Sequence, residues 1–410
     1  MYHIGFCGDE KYIQYIAVTM YSIVKNTNVS FSYKDKLPYA IVENQNEAKE
    51  KYYFHIITDN LSESTVNKIS LLEKELNAIY PCSIEIHYAK DEMYAGCPPW
   101  RGNYAAYYRI LYPQILPKEI KYFLYMDGDI LVDADIRDLF CVNLDGYALG
   151  AVAQYNVITK KLQKHILAPK HKGEKTYSFF THKYNLSSGL MLIDMHKWRE
   201  EHIEEKFFWF LNTYAVKYPD QDALNYVFKD NFKVLDFKYN MYLIGVDKNY
   251  MQDVHTQLRE YGIMLNEYEK PDIIHYILKP WNSAGLCFSN HTVIYNEYIP
   301  LWWEYAEKTP VFSDELMKIR QSEAYKQQIQ RDEKRKLRYE KYRYFYWLRK
   351  KVSVWKRRFV YWLNSLREKK NLFIRTGVLL EIVLAIYIYI RYACSPIEEN
   401  RNVSYWFLRG

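Results

Sequence analysis

Residues 122–132, Tyr-Phe-Leu-Tyr-Met-Asp-Gly-Asp-Ile-Leu-Val, decide how the rest of the chain is read. Tyr122–Met126 is an uninterrupted apolar and aromatic run, the pattern of a strand buried on both faces, as in a parallel sheet. It ends in Asp127-Gly128-Asp129. In an extended chain, positions i and i+2 face the same way, so the two carboxylates can converge on one ligand. Gly128 between them permits close approach of the backbone to a bulky anion. Two hard oxygen donors at a strand end suit Mn²⁺ or Mg²⁺, with a diphosphate completing the shell. Asp-x-Asp occurs at 127/129, 133/135 and 220/222, so the match alone is weak, and the strand before it singles out the first. Asp135, followed by Ile-Arg-Asp-Leu-Phe, reads as a helix N-cap. Asp222 stays open between a helix cap and a site residue.

Outward from this strand, apolar runs alternate with helical patterns. Ile4–Phe6 reads as a short buried strand, followed by Cys7-Gly8-Asp9-Glu10 and a helix with Tyr12, Ile16, Met20 and Ile23 on one face. Tyr52–Thr58 is a second strand. Ser62 or Ser64 caps a helix carrying Val66, Ile69, Leu72 and Leu76. Ser83–Tyr88 is a third strand, and Tyr104–Tyr112 a helix ended by Pro113. This alternation predicts an α/β fold, a parallel sheet with helices on both sides. Ligands of such sheets bind beyond the carboxyl ends of the strands, where Gly8-Asp9, Asp59 and Asp127 fall.

The 410 residues carry a formal charge of +7, and its distribution says more than its sum. Residues 331–370 hold 16 Lys and Arg against 4 Asp and Glu, residues 371–410 hold 4 against 3, and residues 1–330 are left at −6. An acidic body with a basic, aromatic tail is a poor match for a nucleic-acid-binding core, and no nucleic-acid partner is expected. The six Cys are scattered and form no C-x-x-C pair, which argues against a zinc site or a disulfide framework and suits a reducing compartment. Asp9 and Glu10 stand where a signal peptide needs an apolar run, so secretion is not expected.

RGNYAAYYRILYPQILPKEIKYFLYMDGDILVDADIRDLF (residues 101–140) resembles the core of the family 8 glycosyltransferases. Further blocks follow in the same order: IGFCGDEKYIQY near the start, LSSGLMLIDMHKW at 186–198, YPDQDALN at 218–225 and IIHYILKPWN at 273–282. The resemblance implies a GT-A nucleotide-diphospho-sugar transferase fold, with a mostly parallel, Rossmann-like sheet. It implies a retaining, UDP-hexose-dependent hexosyltransferase using Mn²⁺ (or Mg²⁺) and moving glucose or galactose to a bacterial surface glycan, of the lipopolysaccharide type, or to a lipid-linked acceptor. By the same resemblance Asp127, Asp129 and His275 are metal ligands and Lys279 contacts the diphosphate. Asp9 lies at the uracil and ribose, and Arg109 near the donor phosphate and sugar. Ser188 and Gly189 lie beside the sugar, and Asp220 and Gln221 act at its hydroxyls and anomeric face. Four departures stand out: Ser187 replaces an Asn, the Ile277-Leu278 spacer is short, Lys11 replaces an Asn, and Gln154 stands where an acidic residue can approach the sugar. Three of the four lie near the hexose or the closing loop, so the nucleotide is better specified than the sugar.

Residues 331–366 interleave cations with Tyr, Trp and Phe, the composition of a membrane-surface helix. In 371–393 the charge-free run Ile382–Ile390 has nine residues, against roughly 20 needed to span a bilayer, so a helix lying in the membrane is expected over a span. The expected organisation is a GT-A domain over 1–305, a basic aromatic helical extension over 306–370 and an amphipathic membrane-associating tail over 371–410. The expected location is cytoplasmic, held peripherally at the inner face of the plasma membrane, with residues 331–393 on anionic lipid. The competing reading is a non-catalytic membrane-bound scaffold with a degenerate transferase body.

Overall fold

The computed structural model describes residues 1–33, 36–37, 50–90, 94, 96–97, 99, 102–154, 163–167, 177–181, 185–216, 218–229, 231–241, 271–283, 285–289, 292–296, 298–339 and 341. One unit comprises Met1–Asn282 with Asn296–Tyr325, and a second takes in Ser283–Tyr295 and the chain from Lys326 on. Most of the basic aromatic segment and all of 371–393 lie outside the described residues. Among those described, no helix is long and apolar enough to cross a membrane.

The strands of the first unit are β1 (Tyr2–Cys7), β2 (Tyr52–Thr58), β3 (Cys82–Tyr88), β4 (Tyr122–Met126), β5 (Ile130–Val132), β6 (Leu149–Gln154), β7 (Gln163–Leu167), β8 (Tyr177–Thr181), β9 (Asn185–Asp194), β10 (Lys233–Leu235) and β11 (Ile273–His275). Its helices are α1 (Ile13–Lys25), α2 (Glu63–Ile79), α3 (Ala105–Tyr108), α4 (Tyr112–Ile115), α5 (Arg137–Phe140), α6 (Met195–Glu200), α7 (Ile203–Thr213), α8 (Pro219–Phe228), α9 (Ile299–Lys308) and α10 (Ser313–Gln321). Seven strands form the central sheet in the order β10-β6-β9-β4-β1-β2-β3. All pairings are parallel except the two made by β9, which runs against both β4 and β6. The sheet is therefore mostly parallel, as expected, and β9 is its one reversed strand among the described residues. A strand buried along nearly its whole length, as β9 is, reads the same in either direction.

Local chemistry explains the elements that frame the site. Ser62 caps α2 by accepting from Thr65 N, and Glu10 at the end of β1 accepts from Ser62 N at 2.9 Å. The single helix expected over Tyr104–Tyr112 is two short ones. In a continuous helix the Pro113 ring would collide with the carbonyl of Arg109. The chain instead tightens into Ile110 N→Tyr107 O and Leu111 N→Tyr108 O turns, and Pro113 sits in the first turn of α4, where its missing N–H costs nothing. Asp135 accepts from Arg137 N at 3.1 Å, as a cap would, but it also holds the buried Arg137 guanidinium at 2.6 Å.

Helix α1 departs from the one-sided burial that its sequence pattern predicts. Ile13 and every residue from Tyr15 to Val24 are buried. Its polar residues serve β5: Thr19 Oγ1 donates to Ile130 O (2.6 Å), and Ser22 Oγ accepts from Val132 N (3.0 Å). Gly128 is required here, because a Cβ at that position would run into Ile16 and Tyr12 of this segment. The close approach seen at Gly128 is to this helix, and Gly128 also lines the cleft described below.

Candidate active site

Three backbone contacts bring distant segments to Asp127 and Asp129. The antiparallel pairing of β4 with β9 leads Asp127 N to donate to Gly189 O at 2.8 Å. The short strand β5, emerging from Asp129, pairs antiparallel with β11 so that His275 lies opposite Ile130. Tyr276 N then donates to Asp129 O at 2.9 Å. The strand next to the carboxylate pair thus delivers the histidine to it.

His275 Nε2 lies 3.3 Å from Asp129 Oδ1 and 3.7 Å from Asp127 Oδ2. Asp129 is 2% exposed, and its Oδ1 has no hydrogen-bond partner among the described residues, while Oδ2 is paired with Lys279. A buried carboxylate oxygen without a donor is costly unless a cation meets it, so the residues fit a divalent metal. Burial, opposed in part by Asp127, lowers the pKa of His275 and keeps its ring neutral, as a ligand must be. Gly189 makes room for this approach. A Cβ there would fall on the His275 ring and within 3.0 Å of Asp127 Oδ2.

A second set of contacts orients these groups. Asn240, fully buried, accepts at Oδ1 from His275 Nδ1 (3.1 Å) and donates from Nδ2 to Ser187 Oγ (3.1 Å). With the proton held on Nδ1, the lone pair of Nε2 faces the two carboxylates. Ser187 therefore serves the metal side of the site, through Asn240. Tyr125 donates its hydroxyl to Asp127 Oδ1 at 2.7 Å, and its ring lies 4.5 Å beneath the Arg109 guanidinium.

Arg109 is 6% exposed and paired with Asp127 (3.0 Å) and Asp220 (3.4 Å), and it donates to Ser188 O at 2.8 Å. Burial alone would lower its pKa, but Asp127, Tyr125 and Asp220 outweigh burial and hold the charge firmly in place. Ser188 Oγ donates toward Asp220 (3.1 Å) and Gln221 (2.8 Å). Gln221 Oε1 also accepts from Ser188 N (3.0 Å), and its amide nitrogen donates to Leu186 O. Gln221 is thus committed to the β9 backbone, while Asp220 faces the cleft. Asp222 accepts from Tyr218 N at 2.9 Å, which makes it an acceptor for the first turn of α8.

The cleft, of about 340 Å³, is lined by Asp9, Arg109, Asp127, Asp129, Asp220 and Lys279 among others. Asp9 also holds the start of α1, accepting from Tyr12 N at 3.0 Å. Trp281, two residues beyond Lys279, stacks on Tyr15 of α1 with ring centroids 3.6 Å apart, which fixes the segment carrying the lysine. All ten residues singled out from the sequence are therefore at or beside one cleft. Lys11 is exposed, and the side chain of Gln154 lies outside the described residues. The sequence reading missed Asn240 and Tyr125. Tyr125 was within reach, since it stands two residues before Asp127 on the same side of the strand. Asn240 sits in no motif.

A family model described as "Glycosyl transferase family 8" matches residues 3–285. Among curated proteins, the chain is 26% identical over 243 residues to glycosyltransferase GlyF of Streptococcus pneumoniae, covering 58% of this chain and 50% of that one. It is 26% identical over 248 residues to a lipopolysaccharide 1,2-glucosyltransferase of Escherichia coli, covering 58% of this chain and 67% of that one. The match spans half or less of the length of GlyF and of the related GlyB. Among solved structures, the galactosyltransferase LgtC in complex with donor and acceptor sugar analogs superposes with a TM-score of 0.52 at 19% identity. That overlap covers 77% of this chain and 99% of LgtC, a likeness of fold. The bifunctional glycosyltransferase WbbM gives 0.54 at 16% identity, covering 78% and 52%.

Proposed function

The chain belongs to glycosyltransferase family 8, and from that premise we propose that it is a metal-dependent retaining hexosyltransferase. It transfers glucose or galactose from a UDP-sugar to a bacterial surface glycan or lipid-linked acceptor. The observation that carries this reading is the meeting of Asp127, Asp129 and His275 with one buried carboxylate oxygen left without a donor. These three residues would hold Mn²⁺ or Mg²⁺, which would supply positive charge against the diphosphate leaving group.

The chain's own residues do the rest. Lys279, on the segment that Trp281 anchors and paired with Asp129, is the cation that would meet a phosphate oxygen of the donor. Arg109 is held too tightly to move and fixes Asp127, Asp220 and the Ser188 carbonyl relative to one another. Asp220 presents a carboxylate to the cleft, where on this reading it would meet the donor's sugar, and Gln221 fixes the backbone beside it. A primary amide is a poor nucleophile, so no glycosyl-enzyme is assigned to Gln221. The relatives named for lipopolysaccharide 1,2-glucosyl transfer favour a glucose donor and a lipid-borne acceptor. The basic aromatic tail suits a cytoplasmic enzyme at the inner face of the plasma membrane.

Release of UDP from UDP-glucose and from UDP-galactose, with Mn²⁺ and with excess chelator, tests the reading. One donor is expected to be turned over only with metal. No turnover of either sugar nucleotide under any metal condition would point to the scaffold reading instead.

A further inference from the structure

A second cluster of metal-ligating side chains stands on strands that carry neither Asp127 nor His275. In the parallel register of β1, β2 and β3, Gly5 pairs with His55, His55 with Glu85, and Ile57 with His87. Residues 3, 55, 85 and 87 therefore project from one face of the sheet. His55 Nδ1 is 3.1 Å from His87 Nε2 and 3.4 Å from Glu85 Oε2, and His87 Nε2 is 3.8 Å from the same oxygen. A zinc ion bonded tetrahedrally at about 2.0–2.2 Å separates its ligand atoms by roughly 3.3–3.5 Å. The three protein atoms form a triangle with edges of 3.1, 3.4 and 3.8 Å, which shifts of a few tenths of an ångström would bring to that size.

We propose that His55, His87 and Glu85 form a binding site for one Zn²⁺-class ion, distinct from the Asp127–Asp129–His275 group, that ties β2 to the edge strand β3. Two imidazoles and one carboxylate are the borderline donors that zinc prefers, whereas an aspartate pair is the harder set that suits Mn²⁺ or Mg²⁺. His3 supplies the outer contact. Its Nδ1 lies 3.0 Å from His55 Nε2, and the two rings are stacked within 13°. With His55 Nδ1 on the metal, Nε2–H donates to His3 and fixes the ring's tautomer and plane. The route in is short, because β3 is the edge strand. His55 is 2% exposed, while the side chains of His87 and Glu85 are 20% and 55% exposed. A row of neutral histidines bonded to one another accounts for the ring contacts. It does not account for Glu85, whose Oε2 lies within 3.8 Å of both ligand nitrogens although more than half of its side chain is open to solvent.

Co²⁺ in a four-coordinate site with two imidazoles absorbs more strongly in the visible than six-coordinate, oxygen-rich Co²⁺, so one titration separates the two sites. The probe is Co²⁺ added to the untagged, chelator-stripped full chain, followed by displacement with Zn²⁺. The structure predicts an intense band at one equivalent, unchanged in Asp127→Asn. The band should be lost, and Zn²⁺ affinity should fall at least roughly tenfold, in His87→Ala and in Glu85→Ala. Circular dichroism of the metal-free proteins reports their folding. Should His87→Ala fail to fold, Glu85→Gln decides, since its side chain is half-exposed. Absence of the band in the wild type, or its survival in a folded Glu85 variant, overturns the proposal.

Discussion

Replacing Asn240 by Ala isolates the chain of contacts behind the candidate metal site without touching a ligand. The substitution removes the acceptor of His275 Nδ1–H and the donor to Ser187 Oγ, both at 3.1 Å and both fully enclosed. Losing such an outer partner of a metal-bound histidine typically costs 10–100-fold in affinity, or about 1.4–2.7 kcal/mol. The stranded His275 N–H adds about 1–3 kcal/mol of destabilisation, nearer the lower figure if water enters the space left by the amide. Mn²⁺ binding should be followed by titration calorimetry, and activity as a function of Mn²⁺ concentration. Asn240→Ala is expected to raise the Mn²⁺ requirement 10–100-fold while leaving the rate at saturating metal near that of the wild type. Asn240→Asp keeps an acceptor for Nδ1–H and should recover most of the affinity. A folded Asn240→Ala protein that binds Mn²⁺ within twofold of wild type would refute the assignment of Asn240 as the residue that orients His275.

Gly189→Ala places a methyl group where the His275 ring lies, so metal-dependent activity should fall at least roughly a hundredfold, while a metal affinity equal to wild type would show that the ring does not need that space. Burial lowers the pKa of His55 to about 3 and of His3 to about 4, against 6.5 for a free ring. The unfolded chain therefore binds more protons below pH 6.5, and the stability present above that value is lost as pH falls toward 4. The loss should be on the order of several kcal/mol in urea melts of the metal-free protein, and a flat profile between pH 7 and 4.5 would contradict the neutral histidine row. For the tail, removal of residues 326–410 is expected to abolish sedimentation with anionic vesicles, and equal partitioning of both forms would remove the membrane assignment.

Much of the fold was legible because its signals are local. The run Tyr122–Met126 became β4 with the expected bounds, and Ser62 capped α2 as its position before an apolar-periodic stretch requires. Strand direction was not legible in β9, since hydropathy carries no polarity along the chain. The break at Arg109–Leu111 could have been read from Pro113, which excludes a helix that runs through it. The ligand triad was legible by different routes. Asp127 and Asp129 stood out at the end of an apolar strand, although they lie in the turn between β4 and β5 and not along one strand. His275 was named only through the family resemblance, because β11 pairing with β5 is a long-range contact. Asn240 shows the limit most clearly. It earns its place from partners at 187 and 275, and nothing in its own neighbourhood announces them.

The central claim is that Asp129, with its buried unpaired oxygen, is a metal ligand on which sugar transfer depends. UDP release by wild type and by Asp129→Asn, measured side by side across a Mn²⁺ titration with the preferred donor, addresses it directly. Saturable, chelator-sensitive release is expected in the wild type, with a loss of roughly 10²–10³-fold in the variant at every metal concentration. Release by Asp129→Asn at the wild-type rate, or wild-type release indifferent to chelator, would contradict it.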